Sequence, residues 1–427
     1  MTNHRDQKDV VIDIRKKLKE AGPPITKKCT IYRVPFDIRK HKVDAYTPKI
    51  VSIGPLHHNT HPGLQNMERH KLIYCNSFLE RTQTDVDTWI RRIEGIEPDL
   101  RRCYSEKLEI SKEELVNIIL VDSGFIFELF RKDYCKDWSE NDTFISIPLI
   151  RDTVAVDLFL FENQIPFHVL TDLFKLSRTT GSDAGNNAIP SFDELTFHYF
   201  DFYNKPKLKF DDESISISHF TDLVRTFHLQ HPQENRPSRR DELLKHVPTA
   251  NELSEAGVHF KVLNRDCLLD LKFSGGVLQM PQLTVEDRTE VLFRNMVALE
   301  QCHYPLESYI TDYICLFDFL INSSKDVDTL VQQEVLVNWT GDTDTVVNLF
   351  NSLGKNITQS NMNSNYLFVS QKLNVFYRNI FNKMKSTLRR DYCNSPWQTA
   401  ATIAAIVLLV LSVIQTVCSI IGVLPKE

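Results

Sequence analysis

Residues 111–130 read SKEELVNIILVDSGFIFELF, and this stretch sets the fold class. Ser111 followed three residues later by Glu114 is a capping-box signature, in which the hydroxyl and the carboxylate satisfy backbone N–H groups that a helix start leaves open. The box opens a long apolar helix, Leu115 to Phe130, Gly124 included. On its N-terminal side, Leu64, Met67, Leu72, Cys75, Phe78 and Leu79 recur at helical spacing after Pro62-Gly63. On its C-terminal side, Arg151 to Phe161 is apolar enough to be buried. Pro166 then either kinks that helix or opens a second one to Leu176, with Asn163 as its cap.

Composition agrees with a helical body. Only 13 of 427 residues are Gly, so few tight turns are available. Hydrophobic residues make up 42% and charged residues 25%, ordinary values for a globular chain. The net charge of −6 argues against a nucleic-acid partner. The basic runs Arg15-Lys16-Lys17-Leu18-Lys19 and Arg39, Lys40, Lys42 are flanked by acids and read as solvated surface. Nine dispersed cysteines, none in C-x-x-C spacing, predict free thiols in a reducing compartment, not a disulfide framework or zinc ribbon.

The organisation follows from the breaks. Residues 1–28 read as a flexible segment, with Gly22-Pro23-Pro24 as its break. A helical domain covers 29–390, in an N-terminal half 29–176 and a C-terminal half 248–390, with loops at 177–190 and 231–247. Two short extended pieces are expected, Cys29–Pro35 and Lys49–Ile53, the second ended by Gly54-Pro55. In the second half Thr249 and Glu252 form a capping box, and Gly257 suits the helix end. The runs Val258–Leu263, Cys267–Phe273 and Val277–Leu283, with Gly275-Gly276 between the last two, predict a small β-meander. Helices then resume at Val285–Gln301, Tyr309–Ile321, Val327–Leu336, Thr345–Leu353 and Asn365–Arg390. The expected fold is a predominantly α-helical body with one C-terminal transmembrane helix.

That last helix is residues 400–424, after a juxtamembrane stretch 391–399. It carries no charge, and 14 of its 25 residues are Leu, Ile or Val. Its length of roughly 37 Å exceeds the ~30 Å hydrocarbon layer, so it spans with some tilt. Trp397 suits the headgroup layer. Arg378, Lys383, Lys385, Arg389 and Arg390 precede the span and only Lys426 follows, so the positive-inside rule keeps the body cytosolic. Met1 to Lys19 has no apolar core of a signal peptide, and the topology expected is a tail anchor, at the plasma membrane or an endomembrane. Four N-glycosylation acceptors, at Asn141, Asn322, Asn338 and Asn356, point weakly the other way. Ser412, Gln415, Thr416, Ser419 and Gly422 share one face and could pair two spans.

No phosphate-binding loop, dinucleotide fingerprint, nucleophile elbow or H-E-x-x-H occurs. The best metal candidates are His57, His58, His61 and His70 with Glu68, set against loop-stabilising polar contacts. His219, His228 and His231 are sparser. Glu162 of Glu162-Asn163-Gln164 could be a buried carboxylate with a raised pKa suited to acid–base work, or part of a polar capping network at a helix break. The latter is the simpler reading. No catalytic, cofactor-binding or metal-binding residue is assigned.

Several stretches together resemble one plant family, domain of unknown function 247. They are Ile31-Tyr32-Arg33-Val34-Pro35, Val51-Ser52-Ile53-Gly54-Pro55-Leu56-His57-His58, Met67-Glu68-Arg69-His70-Lys71, Asp122-Ser123-Gly124-Phe125-Ile126 and Glu162-Asn163-Gln164-Ile165-Pro166-Phe167. Glu255-Ala256-Gly257-Val258, Arg294 through Cys302 and the terminal span complete the set. Leu56 stands where the family pattern has an aromatic, and Ser123 where it has Asp. The resemblance implies a helical protein with a C-terminal membrane helix and no established enzymatic activity. Some grass members are associated with pollen–stigma self-recognition, so by analogy recognition or signalling through protein partners is the class expected here. The alternative is a membrane-tethered enzyme of unfamiliar type using the His57/His58/His61 region or Glu162.

Overall fold

A computed structural model describes residues 11–12, 14–18, 26, 28–138, 143–180, 190–210, 215–265, 267–379 and 396–423. The chain falls into two compact units, Met1–Phe202 with Lys209–Val224, and Tyr203–Leu208 with Arg225–Glu427. Most of the loop expected at 177–190 and the segment 380–395 lie outside the described residues.

Unit 1 is built on α1 (Pro62–Thr82), α2 (Val86–Arg101), α3 (Lys112–Cys135), α4 (Pro148–Phe159), α5 (Phe167–Thr180) and α6 (Phe192–Tyr199). The helix that the opening stretch predicts is α3. Ser111 accepts from the Glu114 N–H, and every residue from Ile118 to Phe130 is buried. A helix this apolar on all sides has to be central. It packs closely on α1 because residue 124 is Gly: a Cβ there would sit 2.4 Å from the Cys75 sulfur and 2.9 Å from its Cα. Phe127 anchors an aromatic cluster, with Trp89 at 5.8 Å, Phe174 at 5.1 Å and Phe192 at 5.1 Å, all edge-on. Edge-on pairs favour the ring quadrupoles, at ~0.5–1.5 kcal/mol each beyond area burial. Helix α2 lies where the sequence reading assigns nothing. Asp85 caps it, Trp89, Ile93 and Leu100 bury one face, and Pro98 is tolerated one turn from its end.

Pro166 opens a second helix instead of kinking one. Helix α4 ends at Phe159 and α5 starts at Phe167, leaving 160–166 irregular. Asn163 is not the cap of α5; its amide goes to a different segment, as described below.

Unit 2 carries the small sheet. The hairpin of β3 (Lys272–Ser274) and β4 (Val277–Met280) turns on Gly275 and Gly276, whose φ of +59° and +81° suit a type I′ turn. The first strand, β2 (His259–Val262), pairs parallel with β4, so the order is β2-β4-β3. A meander would have placed β2 antiparallel beside β3. The sequence run from Cys267 enters the strand only at Lys272, because Leu269 and Leu271 are buried and their carbonyls accept from Tyr366 and Asn365. A second pair joins β5 (Leu283–Val285) to β6 (Leu336–Asn338) in parallel. Leu336, expected as the last residue of a helix, is therefore in a strand. The helix there, Ser324–Gln332, stops because Glu334 takes a left-handed φ of +60°. The helices Asp287–His303, Tyr309–Leu320 and Thr343–Leu353 match the sequence pattern closely, whereas the helix expected over 365–390 is Ser364–Arg378, because Asn379 takes an extended φ/ψ of −76°/109°. Thr249 and Glu252 form the full capping box of Ala250–Glu255. Within the stretch expected as a loop, Arg239–Arg240 (β1) pairs with Met362–Asn363 (β7).

The helix Pro396–Val423 stands apart in character. Its window Ala400–Ser419 has a mean hydropathy of 2.4 and no buried residue. Among the described residues it is the one helix long and apolar enough to cross a membrane.

Candidate functional site

The polar groups that the sequence marks out in unit 1 converge on one irregular segment, residues 49–57. The extended piece expected at 49–53 forms no strand: residues 51–53 are irregular, bends flank them at 49–50 and 54–57, and among the described residues no strand pairs with them. Its backbone still needs partners, since an unmet buried N–H costs ~1–3 kcal/mol. Side chains supply them. The Asp157 carboxylate accepts from the N–H groups of Lys49, Ile50 and Val51 at 2.7–3.1 Å. Asn163 accepts from Ile53 N–H at 2.7 Å and donates to Val51 and Asp157 carbonyls. Asp122 accepts from Gly54 N–H at 2.8 Å, and Lys71 donates to the Ser52 carbonyl at 3.0 Å. Lys71 and Asp122, both fully buried, pair directly at 2.5 Å, with Glu68 2.7 Å from the same ammonium. Gly54 holds φ +70°, and a Cβ there would meet the Gln164 carbonyl oxygen at 2.5 Å. Only glycine fits that approach.

Glu162 closes the far end. It is fully buried and its carboxylate accepts four hydrogen bonds: His57 Nε2, Arg33 Nη1 and Arg39 Nε at 3.0 Å each, and the Val34 N–H at 2.9 Å. Burial pushes the carboxyl up. The His57 hydrogen bond, the charges of Arg33 and Arg39 and the Val34 N–H outweigh it, and the group is held below the usual glutamate range. The raised pKa wanted of a general acid is thus reversed here. Arg33 also reaches Glu106 and the Leu56 carbonyl, and Arg39 the Thr47 hydroxyl. Gln164 ties the helix break inward, donating to Leu158 and Leu160 carbonyls and accepting from Phe220 N–H. The capping-network reading of Glu162-Asn163-Gln164 describes this geometry.

Asp157 has the opposite balance. Among the described residues no cation hydrogen-bonds it, so burial dominates and raises its pKa to about 6 against the pull of three backbone N–H groups and the charge of Lys49.

The histidines do not assemble. His57 is buried against Glu162, while His61 is exposed and caps α1, its Nδ1 accepting from Gly63 N–H at 3.1 Å. His219 meets the Thr30 carbonyl in unit 1. His231 meets the Thr226 carbonyl in unit 2. Among the described residues no three His, Cys, Asp or Glu side chains are placed to hold a metal ion.

Unit 2 repeats the device with different residues. Glu300 is fully buried, pairs with Arg225 at 3.0 Å and accepts from Ile310 and Thr311 N–H, so it starts the helix Tyr309–Leu320. Asp312 pairs with Arg239 and accepts from Asn363 N–H at 2.9 Å, which holds β1 and β7 in place. The sequence reading did not single out Asp157, Asp312, Arg225 or Arg239. Each has its partner 50 or more residues away, so nothing in its own neighbourhood marks it.

The chain matches the family described as plant protein of unknown function, DUF247, over residues 31–411. It is 26% identical to the UPF0481 protein At3g47200 of Arabidopsis thaliana, with 92% of this chain and 87% of the relative covered. A second Arabidopsis UPF0481 protein, At3g02645, is 24% identical, with 90% and 89% covered. No solved structure matches. The stretches that carry the resemblance are largely those that supply the buried lattice: Arg33, His57, Lys71, Asp122, Glu162, Asn163 and Glu300. Extending over nearly the whole chain, the match makes this protein a member of the plant family DUF247.

Proposed function

We propose that the chain is a membrane-anchored recognition or signalling component that works by binding other proteins. The helix Ala400–Ser419 carries the anchoring part of this reading: twenty uncharged residues, none of them buried, in which each Leu, Ile or Val favours lipid over water by a few tenths of a kcal/mol. Orientation follows from charge, with Arg378, Lys383, Lys385, Arg389 and Arg390 before the span and Lys426 after it. That bias favours a cytosolic body; the membrane proposed is the plasma membrane or an endomembrane. Two such spans could pair through Ser412, Gln415, Thr416, Ser419 and Gly422, although Thr416 already donates back to the Ser412 carbonyl at 2.8 Å.

The interaction part rests on how the polar groups are used. Glu162 is ionised and spends its lone pairs on four donors, and His57 is committed to it. A group so engaged holds structure and is poorly placed to move a proton to or from a substrate. The test is alkaline carbonate extraction followed by proximity labelling, with the label on the N-terminus. The reading expects the intact protein to stay with the membrane pellet and to label a reproducible set of cytosol-facing proteins. Release into the supernatant would overturn the anchor, and labelling of lumenal proteins would overturn the orientation.

A further inference from the structure

Unit 1 carries two exposed apolar surfaces. The first is a groove of about 420 Å³ between α1, α2 and α3. Leu72, Leu79, Val86, Ile90, Val116 and Leu120 line it. Its acids are Glu94 and Glu113, brought to one end because Glu94 lies 3.6 Å from Lys112 at the start of α3. The second is formed by residues 11–12 and 14–18, all of them helical. Val11, Ile14 and Leu18 fall at i, i+3 and i+7, on one face, and all three are exposed. Arg15 and Lys17 flank that stripe on its two sides. None of these residues lines the groove in the structure.

We propose that this groove is the docking site of the chain's own basic helix 11–18. The chemistry matches: helix-in-groove recognition lays an i, i+3, i+7 apolar stripe into an apolar cleft and sets its register by charge. Here a basic helix meets a groove end that carries Glu113 and the Glu94–Lys112 ion pair, where Arg15 can compete with Lys112 for Glu94. The tether also fits. Lys28 pairs with Asp99 of α2 at 3.2 Å, and Thr30 N–H donates to the Cys103 carbonyl just beyond α2, so the chain enters unit 1 beside this helix. Val86, the far end of the groove on α2, lies thirteen residues from Asp99, or about 20 Å along the axis. The ten residues from Leu18 to Lys28 extend to roughly 33 Å. The docked helix covers the groove, and any partner that reads the groove as an amphipathic-helix site has to displace it.

The experiment uses the full chain in lipid nanodiscs, with the photo-crosslinker p-benzoylphenylalanine at position 14. The expected result is intrachain adducts on peptides containing Leu72, Val86 or Val116. Leu18→Asp, in a segment outside the core, lowers their yield at least fivefold without changing the melting temperature. Glu94→Lys lowers it two- to threefold, and adding Arg15→Glu restores it. Adducts confined to lipid would make the helix a membrane-surface element, and adducts confined to a second copy would make the groove a dimer contact; either overturns the proposal. So does a yield that Leu18→Asp leaves unchanged.

Discussion

His57 and Glu162 lie 105 positions apart in the chain and 3.0 Å apart in the fold. The imidazole and two guanidinium groups all hydrogen-bond one buried carboxylate, and together they fix residues 31–34 and 56–57 against the break between α4 and α5. Removing the carboxylate leaves two arginines and a histidine converging on nothing.

Glu162→Ala is accordingly expected to destabilise unit 1 by ~3–5 kcal/mol, the range for breaking one side of a buried ion pair. Glu162→Gln keeps the shape and two of the acceptor positions and should cost less. Hydrogen exchange at the amides of residues 31–57 reads the effect directly. Unchanged protection in the Ala variant would show that the cluster does not hold this segment.

Gly124→Ala tests the close approach of α1 and α3. The added methyl would sit 2.4 Å from the Cys75 sulfur, so a backbone shift is required, at about 1–3 kcal/mol. Cys75→Ala removes the sulfur, though not the Cα at 2.9 Å, and should recover part of the loss. A double-mutant cycle measured by chemical denaturation checks this. Additive penalties would mean the two residues do not meet.

Gly54→Ala combines two costs. A left-handed φ of +70° strains any L side chain, and the Cβ would press on the Gln164 carbonyl at 2.5 Å. Together these predict a loss of about 2–4 kcal/mol and weaker protection of residues 49–57. A stability within experimental error of wild type would refute the strained turn.

Asp157 predicts a pH dependence with a definite sign. Its folded pKa, about 6, lies above the ordinary aspartate value of 3.8, so folding favours the protonated form. Its contribution is complete below about pH 4 and is lost as pH rises through about 6. Between pH 7 and pH 5 the unfolding constant of unit 1 should fall roughly tenfold on this account. Asp157→Asn lowers stability and flattens this slope. Glu162, held low, works the other way, and its contribution is lost only at more acid pH. A variant with the wild-type slope would assign the titration elsewhere.

The apolar helix gives the simplest prediction. Replacing Leu408 and Leu411 together by Arg places two charges mid-span, at ~2.5–3.5 kcal/mol each. Alkaline carbonate should then release the protein from vesicles that retain the wild type. Retention of the double variant would mean that something other than this helix holds the chain.

Much of this architecture was legible in one dimension. The cap at Ser111, the apolar run to Phe130, the Thr249–Glu252 box, the Gly275-Gly276 hairpin and the uncharged run from Ala400 rest on residues within a few positions of each other. Short-range sterics, hydrogen bonding and hydrophobic period determine such features whatever the rest of the chain does. The family, too, could be read from ordered motifs. What tertiary structure alone decided is which distant groups meet. Glu162 carried an ambiguous signal, and only the arrival of Arg33, Arg39 and His57 turned a burial that raises its pKa into a net lowering. Asp157 gave no signal, yet it replaces a sheet partner for residues 49–51. Strand β2 chose the open edge of β4 over the neighbour nearest in sequence. In each case the deciding energy is the cost of burying a polar group unpaired, and that cost is set by which surfaces the whole fold brings out of water.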